Sequence, residues 1–494
     1  MLRHSEQRRS SLLTSVLICM CFGFVAAACT LVGSNELAAM QTETLRHLVV
    51  LYTNDEHGWM DSYQNTGGSA GIAYKWRQRE GLIEDGPYLV LSGGDMWTGH
   101  ALSTVWEGES MTDVMNAMGY DAAAIGNHDF DFGLGTLLDR ADQAEFPFLS
   151  ANIRESDTGE IPDFVIPFLV IEINGIKVGL IGLSTTETKV DTQPSHVADL
   201  DFLPYADVIP DVAARARDEG AELLLIVGHV CAGETRALAP IAAQFDIHLI
   251  GGGHCHQEIN EVVDRVQLIE SGFFNRGYTR IDLLFDTESD EIIEMESEFA
   301  PNRAGREDPE IAALIESWRE RTDNAIWEVI GYADPSIDRK SPQMAELLLE
   351  PWLEAWPSAD VALASSRYVQ QDLFPGEISS GVIIGLLSTT NELVEVGMTG
   401  AQLIETIETH RPLMAGVDEE QEFYRLADGR IVDPEATYRV LVPEALYAGG
   451  NYYEFFKFDR NPTYTGIDWR QPALDWIRAV GSSERKPING FLSD

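Results

Sequence analysis

The chain has 494 residues, too many for one compact core and enough for two or more domains. Eighty acidic residues against 34 basic ones leave a formal net charge of −46, a field that repels nucleic-acid backbones and anionic lipid surfaces and so excludes nucleic acid as a partner. The 45% hydrophobic and 23% charged residues are otherwise those of a globular protein, and beyond the N-terminal segment no stretch is apolar for long enough to span a bilayer.

In chain order the first feature is an export signal. Arg3, Arg8 and Arg9 precede an apolar run from Leu12 to about Ala28, so residues 1–28 are predicted to be a signal peptide. Val25-Ala26-Ala27-Ala28-Cys29 resembles a lipoprotein signal, in which Cys29 becomes the acylated first residue and attaches the protein to a membrane. Ala26 and Ala28 also satisfy the small-x-small rule of ordinary cleavage. Both readings start the mature chain at Cys29, and lipidation is favoured. The expected location is the periplasm or the outer cell surface. A surface this acidic, with only six lysines, suits a high-salt habitat or an acidic exported protein from an ordinary one. Cys19 and Cys21 leave with the signal, so Cys231 and Cys255 alone remain in the body, where free thiols are expected rather than a bridge.

Short apolar runs follow, each ending in a polar or glycine-rich cluster. His47–Thr53 leads into Asn54-Asp55-Glu56-His57, and Tyr88–Leu91 into Ser92-Gly93-Gly94-Asp95. Glu222–Val227 leads into Gly228-His229, and Ile247–Ile250 into Gly251-Gly252-Gly253-His254. Helical stretches such as Ser110–Met118 and Ala206–Glu219 alternate with these strands, which predicts an α/β domain with buried strands. Ligands of such sheets gather at the carboxyl ends of the strands, where all of these clusters fall.

The clusters carry metal-ligand chemistry. Asp55 and His57 alternate in extended chain, so one cation can meet both; His254 and His256 repeat the spacing. Asp95 follows a Gly-Gly pair that lets the backbone turn and present a carboxylate able to bridge two cations. Gly126-Asn127-His128-Asp129-Phe130-Asp131 adds an amide oxygen and an imidazole. Carboxylates and amides mixed with imidazoles suit divalent ions such as Zn, Mn or Mg.

The segment Ala300–Glu307 is polar, and Asp308-Pro309 then opens a helix whose apolar face is Ile311, Leu314, Ile315 and Trp318. It is predicted to connect to a second α/β domain that begins near Val329.

In order, Thr53-Asn54-Asp55-Glu56-His57-Gly58, Gly93-Gly94-Asp95, Gly126–Asp131, Gly228-His229 and Gly252-Gly253-His254-Cys255-His256 resemble the motif set of the calcineurin-type metallophosphoesterases, in the branch of the bacterial 5′-nucleotidases and UDP-sugar hydrolases. The resemblance implies a four-layer α/β/β/α metallophosphoesterase domain over residues 45–300, a linker helix over 301–328 and a smaller α/β 5′-nucleotidase-type domain over 329–494. It implies two divalent metal ions, Zn, Mn or similar. Asp55, His57, Asp95 and His256 would hold the first; Asp95 would bridge, and Asn127, His229 and His254 would hold the second. His128 and Asp131 match the family's catalytic pair, while Glu56 and Asp129 are expected to support the site rather than ligate. Two such cations would clamp a phosphate and lower the pKa of a water between them. The implied activity is hydrolysis of small phosphorylated substrates. A cyclic-nucleotide phosphodiesterase or sulfur-oxyanion hydrolase on the same scaffold is the alternative enzyme, and a non-catalytic surface binding protein the alternative outside enzymes.

The second half departs from the family's pattern. Ser365 takes the Asn position and Gln370 the Arg position of its Asn-x-Gly-Gly-x-Arg element, and Ser388-Thr389 replaces the Pro-Phe that stacks on a base. Gly449-Gly450-Asn451-Tyr452-Tyr453 retains an aromatic element, so Tyr452 or Tyr453 is expected to form one wall of the substrate pocket, and Arg367 and Arg339 are candidate replacements for the missing arginine. Poor selection for nucleotides follows from these losses.

Overall fold

The computed structural model describes residues 44–421 and 423–493, so the predicted signal and Cys29 lie outside the described residues. Among the described residues no helix is long and apolar enough to cross a membrane.

The first half is built on two six-stranded sheets. In the first, β1 (Leu45–Thr53), β2 (Tyr88–Ser92), β3 (Ala122–Ala124) and β4 (Phe148–Leu149) run parallel, and β13 (Gly277–Asp286) and β14 (Glu291–Pro301) add antiparallel beside β1. In the second, β7 (Ile176–Leu183), β9 (Leu223–Gly228), β10 (Ile247–Gly251) and β12 (Val266–Ser271) run parallel, flanked by antiparallel β6 (Phe168–Ile173) and β11 (Glu258–Val263). A short ribbon pairs β5 (Ile153–Glu155) with β8 (Leu200–Phe202).

The strand sequences explain the layers. β1 is apolar at successive positions because both of its faces are covered. Leu48, Val50 and Tyr52 point between the sheets and share a core with Leu225, Val227 and Leu249. Val49 and Leu51 point the other way, under the helices Gly68–Lys75, Glu109–Met118 and Pro309–Arg321. On the second sheet Leu224, Ile226 and Ile250 pack under Tyr205–Asp218 and Ala232–Ala242. The result is the expected α/β/β/α order. Asp308 caps the helix Pro309–Arg321 by accepting the N–H groups of Glu310 and Ile311, and Ile311, Ile315 and Trp318 bury against the first sheet. The predicted linker helix is thus packed on the first half.

The second half is a separate α/β core. Its five-stranded sheet orders β19 (Leu413–Ala415), β16 (Val361–Ala364), β22 (Thr437–Pro443), β18 (Glu392–Thr399) and β23 (Thr463–Asp468). Two ribbons complete it, β15 (Val329–Ala333) with β17 (Gly376–Ser379) and β20 (Val417–Glu420) with β21 (Phe423–Leu426). The two halves meet where helix Ser380–Leu386 packs on Ala101–Thr104. They meet again around the segment Glu187–Asp191: Arg367 pairs with Asp191 at 3.0 Å, the Asn451 amide donates to the Val190 carbonyl at 3.4 Å, and the Tyr452 hydroxyl donates to Glu187.

Candidate metal centre

The carboxyl ends of β1, β2, β9 and β10 open onto one point between the two sheets, and the loops after them deliver Asp55 and His57, Asp95, His229, and His254 and His256. Asp55, His57 and His256 place ligand atoms within 4.8 Å of one another, as do Asp95, His229 and His254. Within the first group His256 Nε2 lies 3.4 Å from Asp55 Oδ1 and 3.2 Å from His57 Nε2. Asp95 Oδ2 joins the groups, at 3.8 Å from His57 Nε2 and 3.0 Å from His229 Nε2. The Asn127 amide oxygen lies 3.2 Å from His229 Nε2. All seven candidate ligands are therefore gathered at one centre.

The backbone is bent to achieve this. Asp55, His57, Asp95, His254 and His256 all have positive φ, between 49° and 74°, a region that non-glycine residues seldom occupy. Gly126 lets the turn approach, since a Cβ there would strike the Asp95 carboxylate. Asp129 holds the same turn, accepting the N–H groups of Asp95, Met96 and Gly126 at 3.1, 2.8 and 2.8 Å. Glu56 is turned away from the centre and accepts the Thr53 and Ser92 hydroxyls at 2.5 and 2.9 Å. Burial, with a smaller push from Asp55, raises its pKa to about 8, so it sits there as a neutral acid.

The donor set fits divalent cations. His57 Nδ1 donates to the Thr98 carbonyl at 2.6 Å and His229 Nδ1 to the Gly93 carbonyl at 2.8 Å, which leaves both Nε2 lone pairs facing inward. Burial lowers the His57 ring to about 3 and keeps it neutral, as a ligand must be. Burial also acts to lower the His229 ring, yet the Asp95 and Asp55 carboxylates outweigh it and raise it to about 9. A pocket that draws a proton onto a fully buried imidazole is one that stabilises positive charge. Buried carboxylates, imidazoles and an amide oxygen in two adjoining groups match the chemistry of divalent metal ions.

His128 stands beside this centre. Its Nδ1 bonds Asp131 Oδ2 at 2.7 Å, Asp131 Oδ1 accepts the Thr192 hydroxyl at 2.8 Å, and its backbone N–H donates to Asp95 Oδ1 at 2.8 Å. Burial would lower this ring too, but Asp131 and Asp95 hold it protonated, at about 10. His128, Asn127, His254 and His256 line a cleft of about 250 Å³ that the second half closes with Arg339, Arg367, Tyr368 and Gln370.

Four expectations are corrected or refined by the geometry. Cys231 and Cys255 form a disulfide instead of remaining free thiols. β9 and β10 are parallel neighbours in register Val227 with Gly251, so the loops after them leave side by side and bring the two Cα atoms to 5.1 Å. Tyr453 is only 3% exposed and its ring is stacked at 4.0 Å on His410, which leaves no face for a substrate. Tyr452 is exposed, with its hydroxyl engaged by Glu187. Arg367 reaches the cleft but is paired with Asp191. Asp191 joins the site from outside the sequence motifs: its Oδ2 lies 3.6 Å from His254 Nε2 and its carbonyl accepts the Asn127 amide at 2.9 Å. It sits in the short helix Thr188–Asp191, away from any strand end, where no motif marks it.

Comparison with known proteins agrees with the architecture. Residues 330–457 match the family model of the 5′-nucleotidase C-terminal domain. A cell wall protein of Listeria monocytogenes is 24% identical, over 86% of this chain and 66% of its own length. A 5′-nucleotidase of Vibrio parahaemolyticus is 34% identical over 46% of this chain and 43% of its own. The protein UshA of Escherichia coli is 26% identical over 88% and 91%. The chain thus spans less than two thirds of the first two relatives. Among solved structures, a 5′-nucleotidase precursor from Thermus thermophilus superposes with a TM-score of 0.79 at 20% identity, over 89% of this chain and 97% of that one.

Proposed function

We propose that this chain, which belongs to the 5′-nucleotidase family, is an exported, metal-dependent hydrolase of phosphate esters. The observation that carries the reading is the pair of ligand groups joined by Asp95 Oδ2, with the His128–Asp131 pair beside them. Asp55, His57, Asp95 and His256 would hold one cation, and Asp95, Asn127, His229 and His254 the other. Bound there, two cations supply Lewis-acid polarisation of phosphoryl oxygens and activation of a water.

The protein's own groups supply the rest. Asp131 fixes the His128 ring through Nδ1, so Nε2–H is the end free to donate, either to a phosphoryl oxygen as charge builds there or to the departing oxygen. Thr192 in turn orients Asp131. The cleft is closed by the second half, which narrows the approach of water to the reacting group. With Tyr453 in the core and Gln370 in the place of an arginine, that half offers little to select a nucleobase. Export is supported by the N-terminal pattern ending at Cys29 and by the cell wall relative, and mass spectrometry of the mature N-terminus would read lipidation directly.

The test is hydrolysis of 4-nitrophenyl phosphate. Chelation is expected to abolish it and Mn or Zn to restore it. Asp95→Ala is expected to be the most damaging ligand change, with both metal equivalents lost by elemental analysis. Full turnover by metal-free protein would refute the reading.

A further inference from the structure

Next to the catalytic cleft, and continuous with it through His256, Arg339 and Gln370, lies a larger chamber of about 550 Å³. Three arginines line it, Arg276 and Arg303 from the first half and Arg339 from the second. In a chain with 80 acidic residues, none of the three has a carboxylate within 4.0 Å among the described residues. Asp372 also lines the chamber; one of its carboxylate oxygens accepts the backbone N–H of Arg339 at 2.9 Å, and its charge still acts on Arg276 from beyond contact distance. Cations gathered at one wall with no carboxylate in contact cost electrostatic energy, part of which an anion placed among them would recover, although Asp372 and Glu258 act on Arg276 from a longer distance.

Arg276 is held in place. Its guanidinium lies 4.0 Å over the ring of Phe273, and the same ring is stacked on candidate ligand His256 at 4.6 Å and 14°. Two partners so close must occupy opposite faces of one ring, so His256, Phe273 and Arg276 form a continuous stack that runs outward from the metal centre. The Arg339 guanidinium is braced on the carbonyls of Val369 and Gln370 at 3.2 and 3.3 Å.

We propose that this chamber is a second anion subsite: Arg276, Arg339 and Arg303 hold a further phosphate or carboxylate of the substrate. The inference rests on the phosphoesterase reading and narrows it to esters that carry a second acidic group besides the one cleaved. Guanidinium suits either oxyanion, because its paired N–H groups match two oxygens at once.

The experiment compares the Mn-loaded protein with Arg276→Gln and Arg339→Gln on three substrates. These are 4-nitrophenyl phosphate, propane-1,3-diyl bisphosphate and 2-phosphoglycolate. Each variant is expected to lose at least tenfold more kcat/KM on a doubly acidic substrate than on 4-nitrophenyl phosphate, and the two acidic substrates show whether phosphate or carboxylate is the preferred group. Arg276→Lys should recover part of the loss, which a merely misfolded variant would not. Equal losses on all three substrates, or no loss on any, would overturn the subsite. A second arm needs no turnover: calorimetric titration of methylenebisphosphonate into chelated protein, with at least tenfold weaker binding expected for Arg276→Gln. Unchanged affinity overturns the inference. A wild-type protein inert on all three substrates refutes the phosphoesterase reading instead, and the titration then decides the subsite alone.

Discussion

At the scale of single residues, what separates ligands from helpers is the direction in which each side chain is held. His57 and His229 each give Nδ1–H to a backbone carbonyl and present Nε2 to the centre, whereas His128 gives Nδ1 to a carboxylate. That difference supports the role in proton and charge chemistry proposed for His128. His128→Ala is therefore expected to lower turnover by about two to four orders of magnitude while metal content stays at two equivalents, read by elemental analysis beside steady-state kinetics. Loss of a metal ion in that variant would show that the ring ligates. Asp191 shows what a motif reading cannot reach: it touches His254 from a four-residue helix, and only the fold brings it there. Tyr453 is the converse case. In a Tyr452-Tyr453 pair the sequence has no means of saying which ring turns inward, because the answer lies in the stacking of Tyr453 on His410 and Phe455.

At the scale of elements, the parallel strands made the site legible. A strand covered on both faces is written as an unbroken apolar run, and the run stops where the chain leaves the sheet, so polar clusters after β1, β2, β9 and β10 mark one rim. The same logic left the disulfide unread, since adjacency of β9 and β10 is a property of sheet order and not of either segment. The bridge joins the residue two past His229 to the residue between His254 and His256, and so braces a loop whose two histidines both sit in left-handed backbone. Reduction is expected to destabilise the protein by about 3.5 kcal/mol, the loop-entropy value for a separation of 24 residues. It should also weaken metal binding at least tenfold in a competitive chelator titration. Thermal melting of chelated protein with and without dithiothreitol checks the first, and an unchanged midpoint would leave the bridge without an energetic role.

At the scale of the whole molecule, the proposed function places the reacting groups in the first half and the choice of substrate in the second. The candidate ligands and the His128–Asp131 pair are gathered in the first half, while the second half has Gln370 at the cleft and no free ring at Tyr453. The kcat/KM for 4-nitrophenyl phosphate is expected to equal or exceed that for AMP. A preference for AMP of a hundredfold, about 2.7 kcal/mol, would show that other residues have rebuilt a base pocket. The contacts around Glu187–Asp191 have a further consequence. Arg367, Asn451 and Tyr452 grip that segment with hydrogen bonds and a half-exposed ion pair, and Asp191 answers to Arg367 on one oxygen and faces His254 with the other. Such a clasp is fastened by charge and loosened by dissolved ions, so the hold of the second half on this segment is expected to weaken as ionic strength rises. Turnover at saturating substrate should climb as salt is raised, and Arg367→Ala should begin fast and respond little: the brackish or dilute water around the protein would set its pace as much as the chemistry does.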